Sequence, residues 1–368
     1  MQITAALSRG PESPFTLEQV SIAPLRADEV RVRIVAAGVC HTDLVSKALL
    51  PPAPAAVFGH EGAGIVEETG SGVEGVSVGD KVLLTFRSCG QCATCAQGHR
   101  SYCASFVALN SSGARPDGTT TLSQDGEPVR SPFFGQSSFA TYAVATQDNV
   151  VVVDPATDLV AAAPFACGFQ TGAGAVINVL RPAADARLVV YGAGGVGMAA
   201  VMAARALGVE TVVAVDLSEE RRKAALAVGA TAALDGRSDD LAEALAEATG
   251  GGATHAVDTT AVPAVIRAAA ASLAPLGTLV LLGLGAREVT FDVMDLLNGG
   301  KTIRGCIEGD ADPHSLIPQL VRWHAEGRLP VDEIIRRYAF SDINTAIADA
   351  ASGSAIKPVL VFDEPTAG

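Results

Sequence analysis

The chain has 368 residues, nearly half of them apolar, which is more than one hydrophobic core usually takes and comfortable for two. Its 40 acidic side chains outnumber 26 basic ones, for a formal charge of -14. Such a surface repels phosphate backbones and anionic lipid heads, so no nucleic-acid partner and no membrane partner is expected.

The opening MQITAALSRGPESPF has no basic stretch running into an apolar core and no small-residue cleavage site, so no secretory signal is expected. Up to about residue 165 the text is strand-like and punctuated. VRVRIVAAG, AGIVEETG and DKVLL are short β-branched runs separated by Gly, Pro and Asp, which predicts an antiparallel or mixed β domain with long loops. The longest uncharged run, Leu159 to Leu180, holds Pro164, three glycines, Gln170 and Asn178, which a lipid-facing helix tolerates poorly. The chain is therefore read as soluble and cytoplasmic. From about Arg187 apolar strands alternate with Ala-rich helical text: RLVVYG, VGMAAVMAARALG, TVVAVD, SEERRKAALAVG, THAVDTT, VIRAAAASLAP and GTLVLLG. This alternation predicts a parallel sheet built from βαβ units. The last sixty or so residues revert to a mixed pattern, with an amphipathic helix through HSLIPQLVRWHAEG and a final apolar strand KPVLVF, and are expected to return to the first domain.

Clustered cysteines in a reducing compartment are more often metal ligands or catalytic groups than disulfides. Cys89, Cys92, Cys95 and Cys103 fall within fifteen residues, spaced CxxCxxCxxxxxxxC in loop text rich in Gly, Gln and Ser. Two CxxC turns sharing a cysteine bend three thiolates toward one centre, and the longer spacer lets a fourth close a tetrahedron. Zinc is the expected ion, in a site closed to substrate, fixing a loop too poor in apolar residues to fold itself. An iron–sulfur cluster uses the same four thiolates and a redox dithiol needs one CxxC, so both remain alternatives.

Three cysteines remain. Cys40 sits in GVCHTDL just after a strand, Cys167 in FACGFQTG near the proposed domain junction, and His60 in GHEGAGIVE just before a strand. Two thiolates and one imidazole leave a fourth zinc position to water or substrate, the arrangement of catalytic sites. Singly, each has a plainer reading as a core cysteine or structural histidine, and spacing does not choose. In YGAGGVGMAAVMAARALG, Gly192, Gly194 and Gly197 form GxGxxG, with Gly195 and Val196 inside the turn. It follows a strand and opens a helix, and Asp216 ends TVVAVD nineteen residues beyond Gly197. That context predicts dinucleotide binding, and the acidic strand end favours NAD over NADP, a preference Arg221 softens.

Together these motifs resemble the zinc-dependent alcohol dehydrogenases of the medium-chain dehydrogenase/reductase family, from end to end. GHEGAGIVEETGSGVEGVSVGDKVLL is similar to their zinc-site signature, the four-cysteine lobe has their spacing, and CGFQTGAGA is similar to the segment carrying their third ligand. The resemblance implies an α/β fold in which a Rossmann doubly wound parallel sheet is inserted into a mostly β GroES-like catalytic domain. Residues 1–168 would form the GroES-like domain with its zinc lobe at 89–103, 169–308 the NAD-binding domain, and 309–368 the return. Two zinc ions per chain and NAD follow. Cys40, His60 and Cys167 would hold the catalytic zinc, Glu61 would stand beside it or exchange onto it, and Asp43 would fix the tautomer of His60. Cys306 is left as a core thiol. Thr42 would take the alcohol proton, with a helix cap as its plainer role. Arg221 would lie along the adenosine ribose, and His41 and Lys357 would face the pyrophosphate; an ordinary surface charge is the alternative for Arg221 and Lys357.

The implied reaction is zinc-dependent, NAD-linked oxidation of a primary alcohol to the aldehyde and its reverse. Val45 occupies the place where many relatives carry the histidine that ends a proton relay, so His41 or solvent would substitute. Val45 together with GCIEGD resembles the aryl and allylic branch, whose alcohols are of benzyl, cinnamyl or terpenoid type. Phe133, Phe134, Leu284 and Ile307 would line an apolar pocket wall, or belong to ordinary core. A thiol-dependent formaldehyde dehydrogenase of the same family and a non-catalytic NAD-binding relative are the alternatives. Relatives pair edge strands of their nucleotide domains, which implies a homodimer, or a homotetramer.

Overall fold

The computed structural model describes residues 1–51 and 53–363. Two compact units divide it. The first takes Met1–Cys167, Asp312–Val321 and the chain from Ile335 onward; the second takes Gly168–Ala311 and Arg322–Ile334. The second unit is thus inserted in the first, with a short further excursion at Arg322–Ile334.

The first unit carries two sheets. One has the order Ala56–Val57, Gln2–Ser8, Thr16–Ile22, Leu122–Gln124, Glu127–Val129. The other runs Val150–Val152, Lys81–Leu84, Gly62–Thr69, Glu29–Gly38, Lys357–Val361, Ile335–Ala339, and Tyr142–Thr146 also pairs with Glu29–Gly38. The VRVRIVAAG run explains why its strand is central. Val30, Val32 and Ile34 alternate into the core, while Arg31 and Arg33 point the other way and pair with Glu68 and Glu67 of the neighbouring strand.

Register in this sheet positions the chemistry. Glu29–Gly38 and Gly62–Thr69 are antiparallel with Ala37 opposite Gly62, so the end of one strand lies beside the start of the other. The chain leaving the first strand toward Cys40 and the chain entering the second from His60 therefore meet at one sheet end. Gly62 is also opposite Leu84, and just beyond it Thr85 Oγ1 donates to the Ala166 carbonyl at 2.7 Å, which brings Cys167 to the same place.

The second unit holds six parallel strands in the order Ala232–Asp235, Thr211–Asp216, Arg187–Tyr191, Ala253–Asp258, Leu273–Leu281, Thr302–Gly305. In chain order this is third, second, first, fourth, fifth, sixth, the doubly wound arrangement. Its central strand RLVVY is buried on both faces, as a parallel sheet between helices requires. Among the described residues no single helix is long and apolar enough to cross a membrane. The uncharged run splits into Leu159–Ala166 and Gly168–Leu180.

Candidate active site

The four-cysteine lobe is made by short-range structure. Cys92 caps the helix Ala93–Ala96, so its sulfur faces the helix start while Cys95 lies within. The four Sγ atoms lie within 4.8 Å of one another. Backbone amides point at them: Cys89 N donates to Cys103 Sγ at 3.2 Å, and Ser105 N to the same sulfur at 3.4 Å. Thr94 hydroxyl and backbone N–H groups hold Cys92 down to about 5, whereas burial pushes Cys95 up to about 12. Four sulfurs this close cannot all carry charge without a cation among them, so the donor set fits a zinc ion.

The second cluster gathers Cys40, His60, Glu61 and Cys167, whose donor atoms also lie within 4.8 Å of one another. Cys40 caps the helix His41–Ala48, which carries Thr42, Asp43 and Val45 in its first turns. Asp43, 1% exposed, ties the pieces together. One carboxylate oxygen accepts from Gly59 N at 3.0 Å and lies 2.8 Å from His60 Nδ1; the other accepts from Cys40 N at 3.1 Å. With Nδ1 held by a carboxylate, Nε2 carries the lone pair. That Nε2 is buried with no hydrogen-bond partner among the described residues. A buried acceptor so exposed to two sulfurs and a carboxylate fits a metal ion.

The neighbouring Cys167, and then His60, hold the Cys40 thiol well below its ordinary value despite burial. Burial pulls His60 down, but Asp43 and Cys40 more than offset it and keep the ring well above the usual histidine range. Burial raises Glu61, against the pull of Lys357. Lys357 is 4% exposed, and its ammonium lies 2.5 Å from Glu61 Oε2 and donates to the Val39 carbonyl at 3.3 Å. A solvated surface lysine is therefore excluded; the residue is a buried counter-ion. Gly38 makes room for this pair, since a Cβ there would lie 1.9 Å from Glu61 Oε2.

In the second unit, Gly192 turns at φ +90° and Gly194 caps the helix Gly195–Ala206. A Cβ on Gly197 would meet the Gly192 carbonyl at 1.9 Å, so glycine is required where helix and strand pack. The helix start, with Gly195 and Val196 in its first turn, leaves backbone N–H groups free to take a phosphate. Asp216 ends its strand and braces the turn, accepting from Ala193 N at 2.7 Å and Ser218 N at 2.8 Å. Arg221 lies 4.0 Å from Asp216 and is a quarter exposed.

Residues 26–155 match the alcohol dehydrogenase GroES-like domain and residues 195–326 the zinc-binding dehydrogenase domain. A geraniol dehydrogenase from Castellaniella defragrans is 46% identical over 97% of this chain and 97% of its own length. The chain belongs to the zinc-binding alcohol dehydrogenase family. The crystal structure of an alcohol dehydrogenase zinc-binding domain protein from Burkholderia ambifaria matches this dehydrogenase with a TM-score of 0.95 at 45% identity, covering 99% of this chain and 100% of that one. Benzyl alcohol dehydrogenase from Acinetobacter calcoaceticus matches with a TM-score of 0.94 at 38% identity and the same coverage.

Other residues singled out in the dehydrogenase fall as follows. Thr42 Oγ1 lies 3.8 Å from Cys40 Sγ and is half-buried, as is Val45; His41 is exposed. Phe133 and Phe134 are buried against the His60 ring, with centroids 5.7 and 4.8 Å away. Leu284 and Ile307 belong to the second unit and are exposed there. Cys306 is a buried thiol pushed up to about 12, first by burial. Sequence reasoning missed Gln136, an amide buried beneath His60, whose only signal is a long polar side chain in the small-residue run GQSS.

Proposed function

We propose that this dehydrogenase oxidises primary allylic or aryl alcohols, of benzyl, cinnamyl or terpenoid type, to the aldehydes with NAD, and runs the reverse. The observation that carries the reading is the convergence of Cys40, His60, Glu61 and Cys167 around one point, next to an unsatisfied imidazole nitrogen. The substrate class is supported by the likeness to a geraniol dehydrogenase and a benzyl alcohol dehydrogenase, and by the Phe133 and Phe134 rings beside His60.

Zinc, when bound there, supplies the Lewis acidity that loosens an alcohol's proton, and NAD supplies the hydride acceptor. Cys40, His60 and Cys167 would hold the ion as three protein ligands. Asp43 fixes the ring through Nδ1, which would leave Nε2 to the ion. Thr42, whose hydroxyl accepts and donates at once, takes the alcohol proton. Val45 has no group to carry it further, so it leaves through exposed His41 or directly to water. Gly192, Gly194, Gly195, Val196 and Gly197 cradle the pyrophosphate, and Asp216, with Arg221 alongside, selects the unphosphorylated ribose of NAD.

The lobe at Cys89, Cys92, Cys95 and Cys103 holds a second zinc that keeps its loop folded. Homodimer formation is supported by the edge strand Thr302–Gly305 and by exposed Leu276, Val293, Met294 and Leu297 in the same unit. The test is NAD and NADP reduction across benzyl, cinnamyl, terpenoid and short aliphatic alcohols, with zinc counted per chain and no thiol added. Two zincs and a preference for the bulky unsaturated alcohols with NAD are expected. One zinc, or activity only with added thiol, contradicts the reading.

A further inference from the structure

The segment bearing His60 and Glu61 is bracketed by glycines because another part of the same unit lies directly on it. Gly59 has φ +90°, and a Cβ there would meet Phe139 N at 2.5 Å. A Cβ on Gly62 would meet Ser138 Cβ at 2.7 Å and Gln136 Oε1 at 2.9 Å. GHEG is thus the pattern that admits the loop Phe133–Phe139 to the back of the site. The loop adopts costly backbone to get there, with Phe134 at φ 49°, Gly135 at 67° and Ser137 at 56°. Non-glycine residues in that region persist when their surroundings over-determine them, and such strain gathers at functional sites.

Gln136, 1% exposed, is what the loop delivers. Its Oε1 accepts from Gly62 N at 3.0 Å, and its Nε2 donates to the His60 carbonyl at 3.0 Å and the Leu84 carbonyl at 2.8 Å, with the Thr85 carbonyl at 3.3 Å. The His60 carbonyl and the Gly62 amide belong to the two peptide groups on either side of Glu61. One planar amide therefore clamps both.

We propose that Gln136 is a positioning residue for the open metal site: by fixing both peptides around Glu61, it sets where the His60 imidazole and Glu61 carboxylate stand relative to Cys40 and Cys167. This rests on the metal-site reading above. A side-chain amide offers a donor and an acceptor in one plane. A carboxylate in this place would turn an acceptor toward three carbonyls, and an apolar side chain would take this donor from the His60 carbonyl and this acceptor from the Gly62 amide.

The test uses full-length holoenzyme carrying Gln136→Met or Gln136→Glu, with zinc or cobalt(II) as the bound metal. The Met variant is expected to release the open-site ion to a chelator about 10–100-fold faster, as loss of supports around a ligand does. Its cobalt absorption bands should shift and kcat should fall, while KM for NAD and the ion of the four-cysteine lobe stay as in the parent. Unchanged cobalt bands and release rate in a variant of lowered Tm would assign Gln136 a structural role only and overturn the proposal. Should the Met variant fail to fold, Gln136→Asn keeps the amide one methylene short, and the same readings are expected at intermediate size; parent-like values there overturn the proposal too. A parent that binds one ion per chain overturns the metal-site reading itself, and a two-ion parent with unaltered variants overturns only the role of Gln136.

Discussion

The lobe at Cys89–Cys103 and the site at Cys40, His60, Glu61 and Cys167 both gather donor atoms within 4.8 Å, yet they are supported in different ways. The lobe draws every ligand from fifteen residues, holds its sulfurs with local amides and leaves Cys89 and Cys92 half-exposed. The other site draws ligands from far apart in the chain, Cys40 and His60 from the ends of paired strands and Cys167 from beyond a short helical turn, and buries His60, Glu61 and their partners Asp43 and Lys357 almost completely. On the reading proposed above, an ion in the lobe would supply the tie that its few apolar side chains do not. At the open site the fold supplies the support, and on that reading an ion there would be left to do chemistry.

The sharpest way to break the comparison is to remove one ligand from each. Cys40→Ser should leave one zinc per chain, a Tm near that of the parent, and turnover reduced on the order of 10³-fold or more, the loss of several kcal/mol of Lewis-acid stabilisation. Cys103→Ala should do the reverse. With about 3 kcal/mol of lobe stability lost, Tm falls by on the order of 5–10 °C, and activity declines only as the chain unfolds. Calorimetry and metal counting on both variants separate the two behaviours; equal Tm losses would erase the distinction.

Supports around the open site should matter less than its ligands. Asp43→Asn leaves the size of the side chain but weakens the grip on His60 Nδ1, and should cost about 10–100-fold in kcat or metal affinity. The smallest effect lies outside both clusters. Arg9 holds the Glu18 carboxyl down to about 2. A folded carboxyl lowered in this way contributes stability above its unfolded value of about 4.3, lost as pH falls through about 2. Glu18→Gln should therefore cost less than about 1 kcal/mol in urea unfolding at pH 7 and nothing near pH 2, with both zinc sites intact.

What could be read from the sequence divides along the same line. The lobe is local, so its spacing declares it, and the glycine turn before Asp216 is legible for the same reason. The alternation of apolar strands with Ala-rich helices made the parallel sheet visible. Contacts between distant residues were not visible. That Lys357 is no solvated surface lysine shows only when strand pairing beside Gly38 buries it against Glu61. The clamp of Gln136 depends on left-handed backbone at Phe134 and Ser137, which no propensity favours. Phe133 and Phe134 were legible as apolar but not as partners of the His60 ring.

X-ray absorption at the zinc edge, recorded on the parent and on Cys103→Ala, tests the division between a closed and an open ion most directly. The parent should show two ions per chain in a sulfur-dominated average, and the variant one ion bound by two sulfurs, one imidazole nitrogen and an oxygen. A residual ion bound by the three remaining lobe sulfurs, or no ion at all in a folded variant, would contradict it.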